Sequence, residues 1–248
     1  MYFYIYDNFL ADKKYQTQLY KIENRLVDLG IKGRTNRMTL LKNMSEVVND
    51  GIRQGAKTIV VIGNDSSFSK IINLIVDQDV VLGLIPIDGN SKIARLLGMP
   101  AGAAACEVLA QRIIKNLDLG LAGKQYFLDS ASVEGERVNI KFNNWTIQNT
   151  DAKQKISFNN LGVLSNVNKN ICACDPTDGR LELVIEEPTS FFKSPSKPTI
   201  IKFSHVLIEC TNTSSFLITD ESTKLKMPLV IQVASRHLKV IVGSGRLF

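Results

Sequence analysis

The sequence predicts an α/β N-terminal lobe, a parallel sheet flanked by helices, followed by an all-β C-terminal lobe built as an antiparallel sandwich. Three observations predict it. Short apolar runs alternate with amphipathic stretches through about residue 120. Beyond that point polar–apolar alternation takes over, punctuated by Asn, Asp, Gly and Pro. The 248 residues, 44% of them hydrophobic, suffice for one large domain or two of ordinary size. The boundary is placed after residue 122, giving lobes of 1–122 and 123–248.

Residues 2–6 are aromatic and apolar and read as a strand. In 12–29, Tyr15, Leu19, Ile22, Leu26 and Leu29 recur at spacings of three and four, the period of a helix face, and Gly30 stops it. A second helix is expected over 44–54, with Met44, Val47, Val48 and Ile52 on one side. The β-branched run 58-TIVVIG-63 is a strand, and 67–77 is a helix whose face carries Phe68, Ile71, Ile72, Leu74 and Ile75. Residues 80–87 form a further strand, and 102–116 a further helix that includes Ile113 and Ile114. Short strands alternating with helices indicate a parallel sheet covered on both faces. The segments 137–148, 155–164, 181–187, 199–210 and 229–243 are β-rich and are assigned to the second lobe.

The longest apolar stretches are of strand length, well short of the roughly 18 residues of a membrane span. The opening MYFYIYDNF has no basic region and no cleavage-like small residues, so it reads as a strand and not as a signal peptide. Cys106, Cys172, Cys174 and Cys210 make neither a disulfide framework nor a CxxC pair, and buried reduced thiols in a cytoplasmic setting are expected. The net charge of +6 suits phosphates or an anionic membrane surface. No nucleic-acid motif accompanies it.

Chemistry concentrates at three junctions. In 59-IVVIGNDSSFSKIINLI-75 a strand meets a short polar turn and then a helix, whose first N–H groups suit a phosphate. Gly63 lets the backbone approach, Ser66 and Ser67 supply hydroxyls, and Asp65 could hold a cation. Taken alone, this is also an ordinary strand–helix turn with Ser or Asp capping. In 83-GLIPIDGNSKIARLLGMP-100 a strand ending at Pro86 runs into a turn and a short helix. In 174-CDPTDGRLELVIEE-187, Asp175 and Asp178 flank a turn before a strand.

Together and in this order, these segments resemble the diacylglycerol kinase catalytic family, lipid kinases related to NAD kinases. Gly63-Asn64-Asp65-Ser66-Ser67 is similar to the family's GGDGT turn. Pro86 through Gly98 is similar to its GTxND(F)AR turn, with Ala94 and Arg95 in place. Asp118-Leu119-Gly120 resembles its strand-end DLG, 175–183 its DDGxLxL segment, and 217–242 its closing "DGE…P…L.V.V" region. The likeness runs through about 55–243. It implies an ATP- and Mg²⁺-dependent kinase that transfers a phosphoryl group to a lipid hydroxyl, with the nucleotide between a nucleotide-binding lobe and a substrate and metal lobe.

Carried over residue by residue, the resemblance assigns Gly63, Asn64, Asp65, Ser66, Ser67, Gly89 and Lys92 to the nucleotide. Asp65 and Asp118 join an Asp–water–Mg²⁺ network. Asp175, Asp178 and the carbonyl of Arg180 hold a structural Mg²⁺, for which oxygen ligands are suited. Asp220, with Glu221, occupies the general-base region.

The chain departs from the family at several of these points. Asn64 and Ser66 replace glycines, Ser91-Lys92 replaces Asn-Asp, Asp7-Asn8-Phe9 stands where an NPxSG loop is expected, and Asp220-Glu221 lacks the intervening glycine. Two further readings therefore stand beside the kinase: a catalytically degenerate nucleotide- or lipid-binding protein of the same fold, and an NAD kinase.

Phe191 and Phe192 among Lys193 and Lys197 suggest an interfacial loop at an anionic membrane, or phenylalanines packed on the sheet. His205 and His237 read as structural or surface residues, and Trp145 as core or interlobe plug. The acceptor and the oligomeric state, a homodimer included, stay open at this stage.

Overall fold

The computed structural model describes residues 1–135, 137–149, 153–167, 170–187, 197–210 and 215–248, with backbone only for 163–167 and 170–173. The chain divides into two compact units. One comprises Met1–Leu117 with His237–Leu247, and the other Asp118–Arg236 with Phe248. The division thus falls five residues before the expected one, and the end of the chain returns to the first unit.

The first unit begins with β1 (Tyr2–Tyr6), α1 (Gln16–Asp28), β2 (Arg34–Arg37) and α2 (Met44–Arg53). It continues through β3 (Thr58–Gly63), α3 (Asp65–Ile75), β4 (Val81–Pro86), α4 (Lys92–Leu96), α5 (Ala105–Gln111) and β5 (Ile114–Leu117). The final strand, β20 (Leu238–Ile241, numbered in chain order), lies between β4 and β5, in the sheet order β2-β1-β3-β4-β20-β5. Every pairing is parallel except that of β20 with β5.

All six residues of β3 and of β4 are buried, as a sheet covered on both faces requires. The amphipathic faces do the covering. Leu19, Ile22 and Leu26 of α1 are buried, and so are Phe68, Ile71, Ile72 and Ile75 of α3. Each such side chain contributes about 1.5–3 kcal/mol on leaving water.

Two elements differ from the sequence reading. The helix expected over 102–116 is only α5, because Arg112 adopts a left-handed conformation (φ 53°) and ends it. Ile113 and Ile114, read as part of a helical face, lie beyond that stop, and Ile114 opens β5. The edge strand β2, whose sequence RTNR has no apolar residue, was not expected as a strand.

The second unit is antiparallel. Its strands are β6 (Gly120–Ala122), β7 (Gln125–Phe127), β8 (Ser130–Glu134), β9 (Val138–Lys141), β10 (Thr146–Gln148), β11 (Lys155–Asn159) and the hairpin β12 (Val163–Val167) and β13 (Asn170–Ala173). They continue with β14 (Leu181–Glu186), β15 (Thr199–Phe203), β16 (His205–Cys210), β17 (Phe216–Thr219), β18 (Thr223–Lys226) and β19 (Leu229–Val233). Among the described residues one sheet runs β10-β9-β16-β19-β6-β7 and another β15-β14-β11-β8-β17-β18. A single apolar cluster joins Phe127, Ile140, Ile208 and Ile231 of the first to Phe158, Leu183, Phe203 and Leu217 of the second. This is the expected sandwich.

Candidate functional site

In the α/β unit the chain leaves β1, forms β2 on one side of it, and then crosses to form β3 on the other. The carboxyl ends of β1 and β3 therefore mark a switch point, where open α/β sheets bind ligands. Asp7 follows β1 and donates its N–H to the Ile62 carbonyl at 3.1 Å. Asn64 follows β3 and caps α3: its Oδ1 accepts the Ser67 N–H at 3.1 Å, while Ser67 Oγ accepts the Asn64 N–H at 3.3 Å. Ser67 Oγ in turn donates to Asp7 Oδ2 at 2.5 Å. A Cβ at Gly63 would meet Ser67 Oγ at 2.5 Å, so the glycine is what lets this hydroxyl close on the turn.

Asp65, the first residue of α3, points its carboxylate at the next turn. Oδ1 accepts the Ser91 hydroxyl, and Oδ2 accepts the N–H groups of Lys92 at 2.7 Å and Ile93 at 3.3 Å. Ser91 Oγ accepts the Ala94 N–H at 2.9 Å. The whole first turn of α4 is thereby satisfied within the chain, with a side-chain carboxylate where a helix N-terminus would otherwise take an outside anion. Gly89, at the exposed tip of the same turn, has open space around it. Asp65, Ser91 and Lys92 are thus brought together. Ser91 and Asp7 are participants that the sequence reading did not assign, although Ser91 three residues before Ala94 carries a capping signal.

In the β-rich unit, Asp118 and the 175–180 turn meet. The Asp118 N–H donates to the Pro176 carbonyl at 2.6 Å, and its Oδ2 accepts the Gly179 N–H at 2.8 Å. Asp175 Oδ1 accepts the N–H and hydroxyl of Thr177 at 3.0 and 2.6 Å. Asp178 Oδ1 accepts the Arg180 N–H at 2.9 Å, and Oδ2 receives the Lys202 ammonium at 2.7 Å.

These donors do not fit the structural Mg²⁺ that the resemblance implies. The outward oxygen of Asp178 already faces an ammonium, and Asp175 Oδ1 is taken by the N–H and hydroxyl of Thr177.

Asp220 lies against the bend before β8. Its Oδ1 accepts the N–H groups of Asp129 at 2.9 Å and Ser130 at 3.2 Å, and its Oδ2 that of Leu128 at 3.1 Å. It is 6% exposed. Asp220 and Glu221 both hold left-handed backbone, φ 45° and 53°, in the turn joining β17 to β18, and Glu221 is exposed. Asn160, buried beside this bend, donates to the carbonyls of Asp118 and Leu128, both at 2.9 Å.

Trp145 is 49% exposed and stacks on Phe142 at 3.9 Å, so it is not core. With His205, Arg180 and Lys202 it lines an open cavity of about 330 Å³. Cys106 and Cys174 are buried. The Cys172 side chain, Phe191, Phe192 and Lys193 lie outside the described residues.

No family model matches the chain, and no curated protein matches it in sequence. Solved structures do. A diacylglycerol kinase from Bacillus anthracis str. Sterne superposes with a TM-score of 0.76 at 17% identity, over 99% of this chain and 98% of that one. A putative diacylglycerol kinase from the same organism gives 0.78 at 16% identity over the same shares. An NAD kinase from Archaeoglobus fulgidus, in complex with ATP, gives 0.63 at 11%, over 99% and 95%. The fold is that of the diacylglycerol kinases and NAD kinases. The α/β unit and the antiparallel unit both belong to that kinase-like fold, as the sequence predicts. No helix among the described residues is long and apolar enough to cross a membrane.

Proposed function

We propose that the chain is a nucleotide-binding protein of the diacylglycerol kinase fold whose phosphoryl-transfer machinery has degenerated. The observation that carries this is the Asp65 carboxylate, which is bound by the Ser91 hydroxyl and by two N–H groups of α4. A group that takes part in phosphoryl transfer must reach the phosphates, their cation or the acceptor hydroxyl. Asp65 instead serves as the cap of a neighbouring helix. Asp220 is engaged in the same way by three backbone N–H groups at a site 6% exposed.

Nucleotide binding rests on different atoms. α3 starts at the switch point, and its first-turn N–H groups have no acceptors within the helix. Asn64 takes that of Ser67, leaving those of Asp65 and Ser66 to meet a phosphate. Lys92, exchanged for an acid of the family pattern, carries a positive charge in place of a negative one at the start of α4, where its backbone N–H lies on Asp65. The ATP bound to the archaeal NAD kinase of like fold supports the same ligand class here.

Thermal unfolding of the full chain with and without ATP tests the binding. A ligand of the folded state alone raises the midpoint in proportion to RT ln(1 + [L]/Kd). A rise is expected with ATP, and no response to any nucleoside triphosphate would end the proposal.

A second reading, an active Mg²⁺-dependent lipid kinase, is favoured by one observation. Asp118 is docked on the 175–180 turn, so two segments that carry the family resemblance are joined in space. Under that reading, labelled phosphate passes from ATP to diacylglycerol and the transfer is lost with Asp118→Ala.

A further inference from the structure

We propose that the ammonium of Lys202 is the resident cation of the acidic turn in the β-rich unit, so that this turn needs no divalent ion. Lys202 on β15 stands directly opposite Glu182 on β14 in the antiparallel ladder. Its Nζ lies 2.7 Å from Asp178 Oδ2 and 3.6 Å from Glu182 Oε1. The two carboxylates differ in surroundings. Asp178 is at the rim, whereas Glu182 is 2% exposed inside a strand whose neighbours Leu181, Leu183 and Val184 are all buried.

A carboxylate taken out of water needs a counter-charge held close, and removing that charge alone leaves an uncompensated buried ion. Burial raises the Glu182 carboxyl above its ordinary value, and the Cys174 thiol and Lys202 oppose the rise. Lysine suits the position because its flexible stem lets a point charge with three donors reach from the rim to both acids.

The ammonium also completes a chain of contacts. Glu182 and Asp178 meet at Nζ, Asp178 Oδ1 holds the Arg180 N–H, the Gly179 N–H is held by Asp118, and the Asp118 N–H by Pro176. A divalent ion would draw the turn together through the same oxygens. Mg²⁺ requires several oxygens at about 2.0–2.1 Å in an octahedron, and Lys202 already occupies the outward face of Asp178.

The test is thermal unfolding of the full chain without nucleotide, which keeps it separate from the binding reading above. Wild type is expected to unfold at the same temperature in EDTA and in millimolar Mg²⁺. Lys202→Met should lower the midpoint by about 4–8 °C, Lys202→Arg should hold it near wild type, and adding Glu182→Gln to Lys202→Met should recover at least half of the loss. A Mg²⁺-dependent rise in wild type that Asp178→Asn abolishes overturns the proposal. So does a Lys202→Met protein as stable as wild type, or a loss that Glu182→Gln fails to recover. Should Lys202→Met not fold, the wild-type Mg²⁺ comparison and Lys202→Arg still decide, since a Lys202→Arg protein that loses as much as 4–8 °C would show that charge alone does not fill the role.

Discussion

Asp65 Oδ2 accepts the backbone N–H of Lys92 at 2.7 Å, so the first residue of one helix anchors the first residue of the next. This contact gives Asp65 a structural task. Asp65→Ala would leave the N–H groups of Lys92 and Ile93 and the Ser91 hydroxyl without their acceptor. The expected cost is about 1–2 kcal/mol, as for loss of a helix cap. Urea denaturation measures it, with Asp65→Asn falling between alanine and wild type. An Asp65→Ala protein of unchanged stability would contradict the assignment.

Asp220→Ala removes three acceptor contacts at a buried site. About 3–4 kcal/mol should be lost, because the N–H groups of Leu128, Asp129 and Ser130 stay desolvated. Asp220→Asn keeps one carbonyl acceptor and should lose less. A residue acting only as a base would leave the unfolding midpoint where it is in both variants.

Glu221 holds φ 53° with an exposed side chain. Left-handed backbone is costly for a residue with a Cβ and free for glycine, and glycine's extra entropy in the unfolded chain offsets part of the difference. Glu221→Gly should therefore stabilise by about 0.5–1 kcal/mol. Denaturation curves that shift the other way would show that the Glu221 side chain contributes more than the strain costs.

Gly63→Ala places a Cβ 2.5 Å from Ser67 Oγ and 2.9 Å from its Cβ. Ser67 is buried and tied to both Asn64 and Asp7, so it cannot yield without breaking the cap of α3. A loss of about 2 kcal/mol is expected, typical of overpacking, together with weaker ATP binding. Ser67→Ala alone should lose less stability, and crossing it with Gly63→Ala should relieve part of the clash.

The Cys106 thiol is pushed up to about 11, mainly by burial and secondarily by the Glu107 charge. At pH 8 about one thiol in a thousand is ionised, and the thiolate is the reactive form. Alkylation of Cys106, located by peptide mass spectrometry, should be about a hundredfold slower in the folded protein than in urea. Equal rates would mean that the site opens readily.

The parts of the fold that could be read from sequence are those where one residue type repeats at one period. Tyr2–Tyr6, 58–63 and the Phe68–Ile75 face are apolar at the right spacing, and they form β1, β3 and α3. β2 was hidden because an edge strand held by backbone pairing to β1 needs no apolar residue. The stop at Arg112 was hidden because arginine gives no local signal for a left-handed conformation. β20 looked like one more β-lobe strand, since its pairing partners, β4 and β5, lie far back in the chain.

At the site, the motifs located the turns and not the partners of their side chains. Asp65 meets Ser91 across 26 residues, and Asp220 meets Asp129 across 91. Glu182 offered the clearest missed signal, a charged residue inside the apolar run LELVI, which calls for a nearby counter-charge. Its register partner Lys202 follows only from the pairing of β14 with β15.

The most direct measurement of the central claim follows ATP labelled in its γ-phosphate, incubated with the full chain, Mg²⁺ and vesicles containing diacylglycerol, or with NAD. The expected result is label retained with the protein as bound ATP and none in the lipid extract or in NADP. Label appearing in the lipid, and vanishing with Asp65→Ala or Asp118→Ala, would contradict a degenerate site and establish an active kinase.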